Sequence, residues 1–153
     1  MARVIFGIDP DSEAHGVAVY VDGKLERLES KNLMELMALV ISYVINENDV
    51  VIHIEDVNGV SAAFGARDNN HNIHVKLKMA QHIGMCKQSQ IEIERFLAAH
   101  GIPCVKHKIS KIWKKDKAQF EKITGWTGRS NEDTRSSAYF GFLGLSPIKT
   151  TKG

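Results

Sequence analysis

The chain has 153 residues, with 20 Lys and Arg against 18 Asp and Glu and a formal net charge of +2. That length suits one domain with a real core, and the composition is that of an ordinary globular protein. No apolar run is long enough to span a bilayer, and Met1-Ala2-Arg3 leads into a strand rather than into the apolar segment of a secretory signal. A cytoplasmic protein is expected. Cys86 and Cys104 then stay reduced, and their spacing matches neither a zinc nor a redox motif.

Val4 to Asp9 reads as a buried strand. Gly16 to Val21, the pair Asp22-Gly23 and Lys24 to Leu28 read as a β-hairpin, because Asp-Gly supplies the positive φ angles of a type I′ turn. Asn32-Leu33-Met34-Glu35 has the form of a capping box. It opens a helix to about Asn46, with Leu33, Leu36, Met37, Val40 and Val44 on one stripe. Val50 to Glu55 is a second buried strand. Residues 58–72 carry no period and read as a mobile loop. A long helix covers about Val75 to His100 and stops at Gly101, with Pro103 behind it. Cys104 to Ile109 is a fifth strand, and Asp116 to Thr124 a short amphipathic helix. Ser130-Asn131-Glu132-Asp133 caps a last helix that ends near Leu143.

This order, three strands and then two right-handed crossovers, predicts an α/β fold with a mixed five-stranded sheet flanked by helices. The first and fourth strands become neighbours in it. Residues 1–145 form one domain with no repeat or linker, and 146–153 a frayed tail.

The charges are segregated. Residues 1–60 hold 4 basic against 11 acidic side chains, and residues 101–129 hold 8 against 2. The basic stretch contains Lys106, Lys108, Lys111, Lys114, Lys115 and Lys117, with Trp113 among them. It reads as a solvated face or as a surface for nucleic-acid backbone and base stacking. Phe64 and Arg67, in the loop after Glu55, are further candidates for DNA contact. Phe64 also fits a loop aromatic packed on the core.

The acids carry the chemistry. Asp9 and Glu55 close the two buried strands, and Glu132 and Asp133 open the last helix. Each has an ordinary explanation: a turn opener in Asp9-Pro10, a solvated strand end, acids that favour the helix dipole. Together, on adjacent parallel strands about 4.8 Å apart, they make an oxygen-ligand site for Mg²⁺ or Mn²⁺. That is the layout of a metal-dependent phosphodiester hydrolase. His71, His74 and His82 fall roughly on one face of the long helix, but without the Glu of the metalloprotease motif.

Phe6-Gly7-Ile8-Asp9-Pro10 through Gly16-Val17-Ala18-Val19 resembles the first motif of RuvC-type Holliday-junction resolvases, in the RNase H-like superfamily. Val51-Ile52-His53-Ile54-Glu55 resembles the second motif, and Lys78 to Gly84 the opening of the long helix. Ile102-Pro103-Cys104-Val105, with Lys111, Trp113, Lys117 and Gln119, resembles the fifth strand and basic region. The resemblance spans nearly the whole chain and is closest to the short versions of phages and prophages. It implies an RNase H-like fold, a homodimer, and an endodeoxyribonuclease that cuts four-way or branched DNA. Asp9 and Glu55 match the first two metal ligands, and Asp133 the first acidic position on the last helix. The second such position falls on Ser136, a departure: either Glu132 and Asp133 together replace the pair, or one metal site is weakened. Asp11 is another departure, standing where Gly commonly follows the Pro.

In such a site two divalent cations about 4 Å apart activate a water and stabilise the leaving 3′ oxygen. Asp9 would bridge them, Glu55 and Asp133 would each hold one, and Lys111 or Lys117 would neutralise charge on the phosphate. A two-fold dimer would match the near two-fold symmetry of the junction. The alternatives are a non-catalytic junction-binding relative, a ribonuclease H acting on RNA–DNA hybrids, and an actin-like or sugar-kinase ATPase. The last needs a longer chain and a second phosphate loop.

Overall fold

The structure is a computed structural model that describes residues 1–59 and 72–145. The elements run β1 (Arg3–Asp9), β2 (His15–Val21), β3 (Lys24–Lys31), α1 (Leu33–Ile45), β4 (Asp49–Glu55), a 3-10 turn (Val57–Gly59), α2 (Ile73–Ala99), β5 (Cys104–His107), α3 (Ile112–Lys115), α4 (Lys117–Thr124) and α5 (Glu132–Leu145). They form one five-stranded sheet in the order β3-β2-β1-β4-β5. β1 pairs antiparallel with β2 and parallel with β4, and β4 pairs parallel with β5. The expected adjacency of the first and fourth strands is present, with Ile8 opposite Ile54.

Local chemistry explains most boundaries. Asp22 and Gly23 take φ of 48° and 87°, as a type I′ turn requires. Asn32 and Glu35 complete the capping box of α1, each side chain accepting from the other's backbone N–H. Gly101, at φ 66°, stops α2.

Three boundaries differ from expectation. β3 runs on to Lys31 past a register shift between Val19 and Tyr20, because it keeps pairing with β2 as far as His15. β5 ends at His107, where its pairing with β4 ends at Glu55. The short helix α3 has no periodic signal of its own and exists through tertiary contacts of Trp113 and Arg135.

Strand alternation gives the sheet two buried faces. Val4, Phe6 and Ile8 join Val50, Ile52 and Ile54 under α1 and α2. Ile5, Ala18 and Tyr20 face the other way, with Trp113, Phe120 and Ala138. By the same period of two, Asp9 and Glu55 both lie on the α5 side. The long loop expected at 58–72 and the tail at 146–153 fall largely or wholly outside the described residues, as do Phe64, Arg67 and His71. Among the described residues no helix is long and apolar enough to cross a membrane.

Candidate active site

Two glycines set the distance between α5 and the sheet. A Cβ on Gly7 would strike the Ser137 carbonyl, and one on Gly16 the Asp133 carbonyl. Without side chains at these positions α5 rests directly on the sheet, its middle on the backbone of β1 and its N-terminal turn on that of β2. The start of that turn is fixed by Asn131. Its side chain accepts from the Thr134 N–H at 2.8 Å, while its own N–H donates to the Thr134 hydroxyl at 2.9 Å. Asp133 is thereby delivered to the end of β1 that carries Asp9.

Asp9 and Glu55 are buried, 4% and 5% exposed, whereas the Asp133 side chain is 45% exposed. The ammonium of Lys114 stands between two of these acids, 3.8 Å from Asp9 Oδ2 and 3.7 Å from Asp133 Oδ1. Burial raises the Asp9 carboxyl above its usual range, against the opposing pull of Lys114. Burial, and then the charge of Asp9, push Glu55 up to about 8. Lys114 is held protonated: burial works against its charge, but Asp9, Asp133 and Glu55 outweigh it.

The pocket is only partly satisfied within itself: the protonated Glu55 carboxyl shares a hydrogen bond with Asp9. Asp9 Oδ2 and Ser136 Oγ are both buried without a hydrogen-bond partner. Ser136 faces Asp9 closely enough to ease its ionisation, yet its hydroxyl makes no bond of good geometry. Unpaired buried oxygens are costly. Carboxylates that ionise only against burial and mutual repulsion fit a hard divalent cation, which would supply the missing charge and oxygen-loving coordination.

Lys114 reaches this pocket because α3 is clamped from behind. Arg135, on α5, donates to the carbonyls of Trp113 at 3.0 Å and Lys114 at 2.9 Å, and to the Ser130 hydroxyl at 3.1 Å. Trp113 itself is 3% exposed and packs against Phe120, Tyr139 and Phe142. This corrects the reading of Trp113 as a base-stacking residue: its ring is spent on anchoring α3. The lysine brought to the acids is Lys114, not Lys111 or Lys117. Lys111 is exposed at the start of α3, and Lys117 pairs with Glu121 at 4.0 Å.

Glu132 pairs with Lys115 at 3.3 Å on the surface. Lys106 pairs with Glu94 at 3.8 Å, and Lys108 is exposed. The basic stretch is thus an outer surface with one member, Lys114, turned inward. Gly7 and Gly16 lie in the motif that carries the resemblance but show no role of their own in the sequence, and Arg135 has no functional signal there. The two glycines lie inside apparent strands, which is the one sign of a close backbone approach.

No protein-family model matches the sequence, and no curated protein matches it. Solved structures do. A Thermus thermophilus RuvC in complex with a Holliday junction substrate superimposes with a TM-score of 0.56 at 12% identity, covering 91% of this chain and 90% of that one. A second Thermus thermophilus RuvC structure gives 0.53, also at 12% identity, covering 91% of each chain. The chain therefore has a RuvC-like, RNase H-like α/β fold.

Proposed function

We propose that this protein is a metal-dependent endodeoxyribonuclease that cuts four-way or otherwise branched DNA. The observation that carries the reading is the buried Asp9 Oδ2, which has no hydrogen-bond partner and is gathered with Glu55, Asp133 and the Lys114 ammonium at one end of a RuvC-like sheet. Asp9 and Glu55 are assigned as ligands, with Asp133 closing the site and Glu132 at most accessory. Two Mg²⁺ or Mn²⁺ ions, when bound, supply activation of the attacking water and charge neutralisation at the scissile phosphate. Lys114 donates toward a phosphate oxygen, and its positive charge also limits repulsion among the carboxylates while the backbone enters. Ser136 supplies a hydroxyl beside Asp9 that can hold a water in place.

The exposed lysines 106, 108, 111, 115 and 117 are assigned to the phosphate backbone, where branch shape rather than base identity is read. Phe64 and Arg67, outside the described residues, remain assigned to DNA contact. A homodimer is part of the proposal. Ile73, Leu77, Ala80 and Gly84 follow helical spacing along α2 and are exposed, a stripe suited to a second copy across a two-fold axis. The cytoplasm is the compartment in which such DNA is met.

The test is cleavage of a synthetic four-way junction, a flap and an RNA–DNA hybrid, each with Mg²⁺, Mn²⁺ or Ca²⁺. Metal-dependent nicking of the junction is expected, leaving 5′-phosphate and 3′-hydroxyl ends. Preference for the hybrid would favour a ribonuclease H. Tight junction binding with no cutting in any metal would favour a non-catalytic binder.

A further inference from the structure

A second group of donors lies beside the acids. His82 and Cys86 are four residues apart on α2, so they share a face, and the turn after β1 brings Asp11 to them. His82 Nε2 is 3.6 Å from Asp11 Oδ1 and 3.5 Å from Cys86 Sγ, and Cys86 Sγ is 3.7 Å from Asp11 Oδ1. Among the described residues this is the one set of three such ligand atoms all within 4.8 Å of one another.

We propose that Asp11, His82 and Cys86 form a zinc site that clamps the turn after β1 onto α2. Tetrahedral zinc has bonds of about 2.3 Å to sulfur, about 2.0–2.1 Å to imidazole nitrogen and about 2.0–2.2 Å to carboxylate oxygen, which sets its donors roughly 3.4–3.6 Å apart. The three separations found here lie within a few tenths of an ångström of that triangle. One sulfur, one nitrogen and one oxygen favour zinc or a similar borderline cation over Mg²⁺, which prefers oxygen alone. The His82 side chain is 57% exposed, so the fourth position opens to solvent.

The carboxylate is already oriented. The Ser12 N–H donates to Asp11 Oδ1 at 2.7 Å, and the Asp11 N–H donates to Nδ1 of the buried His15 at 3.0 Å. Such outer contacts fix ligands before the ion arrives. Burial, and then the charges of Asp11, Asp9 and Glu55, push the Cys86 thiol up to about 11; the same negative field attracts a dication, which must displace the thiol proton to bind. Only Pro10 separates Asp11 from Asp9, so an ion on Asp11 fixes the direction in which the chain leaves Asp9. The role is positional, and it does not depend on the nuclease reading.

Cobalt substitution tests the site. Reduced, chelator-stripped full-length protein is titrated with Co²⁺ while the thiolate-to-cobalt charge-transfer absorption is followed, and Zn²⁺ is then added. The band should saturate at one equivalent and be displaced by Zn²⁺. Cys86→Ser should abolish it, and His82→Ala should weaken Co²⁺ binding at least about tenfold. Cys104→Ser and Asp9→Asn should both keep it. Zn²⁺ should raise the thermal midpoint of Asp9→Asn but not of Cys86→Ser. No band in the unmodified chain, a band that survives Cys86→Ser, or one lost in Asp9→Asn would overturn the assignment. A normal band in a protein that cuts no DNA would count only against the nuclease.

Discussion

Arg135 donates from Nε to the carbonyl oxygen of Trp113 at 3.0 Å, joining two residues 22 apart in the chain. Through that bond and its neighbour to the Lys114 carbonyl, a helix on the sheet governs where a lysine in a separate segment ends up. Arg135→Met should therefore leave two carbonyls unsatisfied and cost about 2–4 kcal/mol of stability. Cleavage should fall further than unfolding explains. Denaturant melts alongside single-turnover rates at a temperature where the variant is folded would check this, and a rate matching the folded fraction would sink it.

Asp9→Asn and Glu55→Gln should each lower junction cleavage by at least about a hundredfold while leaving junction affinity near normal. In the proposed reading, affinity is assigned to phosphate contacts and not to the acids. Ca²⁺ should support binding without cutting, because its looser coordination misplaces the reacting groups. Gel-shift and cleavage assays on one junction read both.

Lys114 should matter more to turnover than its neighbours. Lys114→Met is expected to cost roughly ten- to a hundredfold in rate. Lys111→Met and Lys117→Met should mainly weaken binding, with a shallower salt dependence. Equal rate losses for all three at saturating protein would show that proximity to Asp9 confers nothing.

On α5, Asp133→Asn should reduce activity far more than Glu132→Gln, since Glu132 is engaged with Lys115 at the surface. Ser136→Asp should be tolerated when Mg²⁺ is present, because it adds a ligand facing Asp9. It should destabilise the chelated protein, because it adds a buried charge. The Mg²⁺ dependence of cleavage for the three variants is the measurement. An inactive Glu132→Gln beside an active Asp133→Asn would reverse the assignment.

Stability should depend on pH in a way that a divalent cation reverses. Glu55 is raised from 4.5 to about 8, chiefly by burial and then by Asp9. A carboxyl raised in the folded state contributes stability that is fully present below its unfolded value and is lost as pH rises through its folded one. With chelator, the thermal midpoint should drop progressively between those two values. Adding Mg²⁺ should restore it at the alkaline end, where the ionised carboxylates bind the cation. Identical curves with and without Mg²⁺ would remove the support for a cation at Asp9 and Glu55.

The sheet was legible because its signals are local. Val50, Ile52 and Ile54 alternate with residues of the other face, and Asp22-Gly23 announces its own turn. The two strand acids were legible for the same reason, as charges ending apolar runs. Side-chain reach was not. Whether Lys111, Lys114 or Lys117 meets Asp9 depends on the seat of α3, which Arg135 sets from another part of the chain. Trp113 misled because an aromatic within a basic run looks alike whether it faces solvent or the core. His82 and Cys86 have a ligand-like spacing, but Asp11, 75 residues before Cys86, joins them only through the fold.

The seating of α5 against Gly7 and Gly16 bears on how the molecule comes into being. β1 to α4 leave the ribosome first, and chains of this size begin to organise from the N-terminal side. Until residues 132–145 follow, the sheet face bearing Ile5, Ala18 and Tyr20 is uncovered beside Asp9 and Glu55. The nascent chain therefore carries two of its three carboxylates next to an open apolar surface. That intermediate lacks the helix that delivers Asp133 and leaves an apolar face open, and arrival of the final helix ends both conditions in one step.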